Sequence, residues 1–197
     1  MLTNRLESFS DGVFSVAITL LVLNIVIPAQ TTSDTLSATL MSLWPTIITY
    51  VVTAILVGIF WICHHIMFKF IVKADRNLFL LNIFLLVCVG ALPFAASIIA
   101  KFPFNSSAVV TYGAVLFLVS ITYVGVWKYA RVHGNLTSEL LTPEIARIAT
   151  LAISIAPIGY AIAILISLIN PAYGLMMYLI IPLVYALPGP IDQLVEK

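Results

Sequence analysis

The side chains with chemistry to offer are few, and they stand in apolar company: Ser10, Asp11, Trp61, His64, His65 and Asn82. Helical rise gives their depth. Asp11 lies six residues past Arg5, roughly 9 Å along a helix. His64 and His65 precede Lys69 by five and four residues, roughly 6–8 Å. Asn82 follows Arg76 by six, again roughly 9 Å. Three separate apolar runs therefore place polar groups at one level. Two chemistries fit, a hydrogen-bonded tie between helices or a proton relay through Asp11 and a histidine. Intramembrane polar groups often pair without moving protons, which favours the tie. We expect Ser10 and Asp11 to bond to the group of Trp61, His64, His65 and Asn82, pinning the first run against the second and third. Arg5 and Asp11 do not share a helix face, because six residues turn through about 240°. Cys63-His64-His65 does not suit a metal, since consecutive helical residues diverge by about 100°. No metal site and no cofactor is expected.

Other chemistry has no foothold. The sequence holds no phosphate loop, dinucleotide fingerprint, HExxH or GxSxG motif. Ser10-Asp11 is adjacent and lacks the spacing of a nucleophile and its base. An enzyme is not expected. Cys63 and Cys88 lie in different apolar runs and read as small packers. A net charge of +1 and the lack of a basic run leave no case for nucleic acid.

The elements that position these residues follow from composition. Apolar residues make up 62% of the 197 and charged residues 9%, with a mean hydropathy of +1.14. A soluble domain must clothe its surface in charge, so the excess implies a lipid-facing exterior. The runs are Gly12–Pro28, a second within Leu40–Phe68, then Asn77–Ala100, Ala108–Trp127, and the charge-free stretch Ile148–Ile191. The last is too long for one crossing, and Asn170-Pro171 divides it, because proline cannot continue the hydrogen-bond ladder. Lipid cannot satisfy free backbone groups, so the runs are helices. The expected fold is all-α, a bundle of six transmembrane helices forming one domain over residues 1–197. Small residues at Ala152, Ala156, Gly159 and Ala163 mark a face for close helix approach.

Basic residues orient the bundle. With six crossings, Arg5, Lys69, Lys73, Arg76, Lys128, Arg131, Arg147 and Lys197 fall on one side, and only Lys101 on the other. The positive-inside rule then places both termini in the cytoplasm.

The opening of the chain carries a resemblance. Arg5-Leu6-Glu7-Ser8-Phe9-Ser10-Asp11 matches RxxxFSD, a signature of the lysosomal/endosomal potassium channel family, transmembrane protein 175. The continuation Gly12–Leu23 is similar to that family's first helix, as is Phe60–His65 to its second and Leu81-Asn82 with Pro93-Phe94 to its third. The likeness covers the chain as a single repeat and is nearest to the short prokaryotic members, which implies a prokaryotic plasma membrane. It implies a homotetramer passing K+, with a pore lined by the first helix of each subunit. By position, Val16 is the innermost narrow layer, Leu20 and Leu23 are further apolar layers, and Thr19 offers a ring of hydroxyls. Val16, Leu20, Leu23 and Ile27 share one helical face by spacing. Val16 stands where the family often holds Ile or Leu, so the constriction is expected to be wider or wetter.

The familiar TVGYG filter is absent; Thr122-Tyr123-Val124-Gly125 has the wrong order and context. Selectivity is therefore expected to be modest and to arise from dehydration at a greasy ring. The rival readings are a proton-coupled secondary transporter and a non-conducting membrane scaffold.

Overall fold

The computed structural model describes residues 3–133 and 136–186. Among them lie eight α-helices and no extended sheet. Helix α1 (Asn4–Leu21) passes into a 3₁₀ turn, Val22–Asn24. A short helix α2 (Leu36–Ser42) follows, then α3 (Trp44–Phe70), which tolerates Pro45 because it sits in the first turn. Helices α4 (Arg76–Gly90) and α5 (Leu92–Lys101) are nearly continuous. Helix α6 (Ser106–Val132) packs against α4, α5, α7 and α8, and α7 (Pro143–Ile169) and α8 (Pro171–Ala186) complete the chain.

Five helical stretches are long and apolar enough to cross a membrane: Asn4–Asn24, Trp44–Phe70, Arg76–Lys101, Ser106–Val132 and Pro143–Ile169. The protein is thus a multi-pass helical membrane protein. The apolar part of α8, Pro171–Leu183, is shorter than these five. The sixth expected span runs on to Ile191, so its end and Lys197 lie outside the described residues.

Two expectations need correction. The first run is not helical to Pro28. Its helix ends by Asn24, whose side chain turns to donate to the Pro93 carbonyl at 3.2 Å. Ile27 therefore leaves the stripe it was expected to share, and Leu23 falls in the 3₁₀ turn. The third run is not one smooth helix but breaks at Ala91. Pro93 lacks the amide that would reach Val89, and its ring crowds the preceding turn.

Proline also shapes α7. Pro157 opens the turn before it, and the Tyr185 hydroxyl from α8 enters the gap. It donates to Ala152 O at 2.7 Å and accepts from Ala156 N at 3.0 Å. This is a side-chain insertion into the helical ladder. Gly113 of α6 lets α8 approach closely, since a Cβ there would collide with the Tyr178 ring and hydroxyl.

The loops after α3 and α6 are clasped. Val72 N and Lys73 N both donate to Leu136 O, at 2.9 and 3.1 Å, and Ser138 N donates to Phe70 O at 2.8 Å. Loops bonded this way lie on one side of the bundle. That fits α4 and α5 forming together the one bent stretch, Arg76–Lys101, that is long and apolar enough to cross.

Candidate functional site

Helix α1 is two-faced. Leu6, Ser10, Phe14, Ala17 and Leu21 recur at helical spacing and are buried against α3, α4 and α5. At the centre of that contact is a closed chain of hydrogen bonds. Ser10 Oγ donates to Leu6 O at 2.8 Å, so its oxygen accepts from Asn82 Nδ2 at 2.9 Å. That orientation turns Asn82 Oδ1 to His64 Nε2, 3.0 Å away. The imidazole therefore donates from Nε2. Ser10, Asn82 and His64 are all buried, and each finds a hydrogen-bond partner within the chain, so no polar side chain among them is stranded in the apolar interior.

Aromatic rings enclose the histidine. Phe68 stacks on it with centroids 4.4 Å apart, and Phe14 and Tyr123 meet it edge-on at 5.6 and 6.5 Å. Tyr123 in turn donates to Phe60 O at 2.6 Å. These three rings escaped sequence reasoning, because aromatic residues in apolar runs carry no positional mark. Asn24 escaped it too. A lone amide near the end of an apolar run, before a proline, was the available signal.

The expected polar group thus divides in two. Asp11, Trp61 and His65 do not join the buried chain. Trp61 Nε1 donates to Asp11 Oδ1 at 2.7 Å, and the His65 ring stacks on Trp61 with centroids 6.0 Å apart. All three are exposed on the chain's outside. Arg5 is exposed as well. Adjacent residues of a helix point about 100° apart, which sends His64 inward and His65 outward.

The opposite face of α1 is open. Phe9 is 58% exposed, Val16 54%, Leu20 43% and Leu23 66%, although all four are large and apolar. A groove of about 380 Å³ follows this face, with Phe9, Gly12, Val13, Val16 and Leu20 along it and Gly90 of α4 at its edge. Thr19 is exposed on the same helix. Its hydroxyl donates to Val16 O at 2.9 Å, shared with Ser15 O at 3.2 Å, which leaves the oxygen's lone pairs free to face outward. The first helix is fastened through Ser10 to Asn82 and, in the turn just past its end, through Asn24 to Pro93, with Val16 and Leu20 of the open apolar face between these two ties.

Among the described residues, no group of three or more His, Cys, Asp or Glu side chains converges as a metal site would require. Cys63 and Cys88 form no disulfide.

Comparison with known proteins bears on this helix directly. A family model described as the endosomal/lysosomal potassium channel TMEM175 matches residues 5–93. A potassium channel of Streptomyces collinus is 28% identical over 187 residues, covering 93% of this chain and 91% of that relative. The human endosomal/lysosomal proton channel TMEM175 is 33% identical over 153 residues, but this chain spans only 30% of its length. Among solved structures, the crystal structure of a lysosomal potassium-selective channel TMEM175 homolog from Chamaesiphon minutus superposes with a TM-score of 0.83. It shares 26% identity, over 93% of this chain and 96% of that one.

Proposed function

We propose that this chain, which is similar to the endosomal/lysosomal potassium channel family TMEM175 over residues 5–93, is one subunit of a K+-permeable channel. Its copies assemble as a homotetramer with α1 facing the shared axis. The chain is a single six-crossing domain over residues 1–197, with both termini in the cytoplasm of a prokaryotic plasma membrane. The observation that supports this reading is the division of α1 into a face fastened to its own protomer and an apolar face left open.

In this arrangement Val16 forms the narrowest layer, with Leu20 and Leu23 beyond it. A narrow apolar ring excludes water and so stops ions until it widens. Widening admits a partly dehydrated cation. K+ surrenders water more cheaply than Na+, so the passage favours K+. Thr19 supplies oxygens that replace part of the lost hydration, because its proton is already engaged by the backbone. Of the signature and polar residues, Ser10, Asn82 and His64, together with Asp11 through its bond to Trp61 and the His65 ring stacked on that indole, hold the helix rather than the ion, while Arg5 and Phe9 stay exposed on the protomer.

Purified protein in planar bilayers tests the proposal through bi-ionic reversal potentials. Unitary current steps distinguish a channel from a transporter, and silence in every condition would support a scaffold. Thr19→Ala is expected to lower the K+-over-Na+ permeability ratio by about fivefold, the worth of one modest hydrogen bond. An unchanged ratio would remove Thr19 from the selectivity mechanism. Proton permeation is the second reading, favoured by Asp11 and His65 on either side of Trp61. The animal relatives named as proton channels point the same way. A reversal potential that follows the pH gradient would favour it.

A further inference from the structure

We infer that the groove between the last turns of α6 and the facing part of α7 holds the headgroup of an anionic phospholipid. The groove measures about 420 Å³, within the range of small-molecule sites. Its walls include Val124, Trp127, Lys128 and Arg131 from α6, and Thr150 and Ile153 from α7. No acidic side chain is among them.

The two cations are three residues apart, hence neighbours on one helix face. Arg131 is held in place. One guanidinium nitrogen, Nη1, donates to Thr150 Oγ1 at 2.6 Å. The same oxygen accepts from Trp127 Nε1 at 2.9 Å, and its own proton goes to Ala146 O at 2.6 Å. Thr150 is thereby saturated. The other guanidinium N–H groups, and the Lys128 ammonium, have no protein partner among the described residues. A guanidinium oriented by one bond and free in the rest is suited to two parallel bonds to a phosphate.

The level of the site and its floor select the source of that phosphate. Lys128 and Arg131 lie near the end of a membrane-crossing helix, where headgroups are, and the Trp127 indole suits the same layer. Val124 and Ile153, nearer the middle of their helices, offer an apolar surface to the acyl chains. Basic pockets between transmembrane helices capture anionic headgroups in this manner. A free phosphate would use the cations but gain nothing from the apolar floor.

Native mass spectrometry of the detergent-purified protein tests this with phosphatidylglycerol and phosphatidylcholine of identical acyl chains. Phosphatidylglycerol adducts are expected to exceed phosphatidylcholine adducts by about tenfold. The Lys128→Gln/Arg131→Gln variant should lose that preference, while Lys101→Gln, at the far end of α5, should keep it. Inorganic phosphate at high concentration should leave the adducts in place. Lys128→Gln alone breaks no bond to the protein among the described residues and still should reduce the preference by about threefold. An undiminished preference in Lys128→Gln and in the double variant, or displacement by inorganic phosphate, overturns the assignment.

Discussion

The buried chain Leu6–Ser10–Asn82–His64 is where α1 gains a defined register on α3 and α4. Removing one member leaves another unpaired in an apolar setting. Ser10→Ala and Asn82→Ala are each expected to cost about 1–3 kcal/mol of stability, read as thermal unfolding in detergent. The double variant should lose clearly less than the sum, since both substitutions remove the same bond. Strict additivity would show that the Ser10–Asn82 contact contributes nothing. Asp11 behaves differently. Its partner Trp61 is exposed, so Asp11→Ala leaves no buried group stranded within the protomer. The common depth of these residues was legible from their distances to Lys69 and Arg76, because helical rise converts sequence separation into height. Which of His64 and His65 turned inward was not. Both positions flank apolar neighbours, and the facing helices decide between them.

At the scale of elements, the start of α4 depends on Asp75. Its carboxylate caps the helix by accepting from Leu78 N at 2.8 Å, and its second oxygen accepts from Tyr129 OH at 2.7 Å. The Leu78 amide first, and then the Tyr129 hydroxyl, hold its pKa below the ordinary 3.8. A depressed carboxylate stabilises the fold above its unfolded value, and that contribution disappears as pH falls through the folded one. Thermal stability is therefore expected to drop on acidification below about pH 4. Tyr129→Phe, with one bond fewer, should bring the loss to higher pH. Asp75→Asn should flatten this part of the profile. An identical acid profile in wild type and Asp75→Asn would contradict the account. Helix positions themselves were largely readable, because charges punctuate the chain and Asn170-Pro171 divides the last run. The break at Ala91 hung on Pro93, but a proline within a long apolar run is compatible with either a kink or a smooth first turn. The clasp of Val72 and Lys73 on Leu136 had no mark in composition. Backbone amides pair regardless of side chain, so only the folded chain reveals it.

For the whole molecule, the proposed tetramer places Leu20 of each copy around one axis. In a chain whose own thiols, Cys63 and Cys88, are replaced by alanine, Leu20→Cys should form a disulfide-linked dimer in oxidised membranes. The bands should stop at the dimer, because each copy carries one thiol. A chain that stays monomeric under these conditions would speak against α1 at the axis. The direction of the bonds behind α1 has a further consequence. A proton conducted inward from the His64 imidazole would meet an amide that does not titrate, then a hydroxyl whose hydrogen points at the Leu6 carbonyl. A peptide carbonyl is a terminus, with no hydrogen to hand onward. The wire is a cul-de-sac, and any proton crossing this molecule must travel by another road.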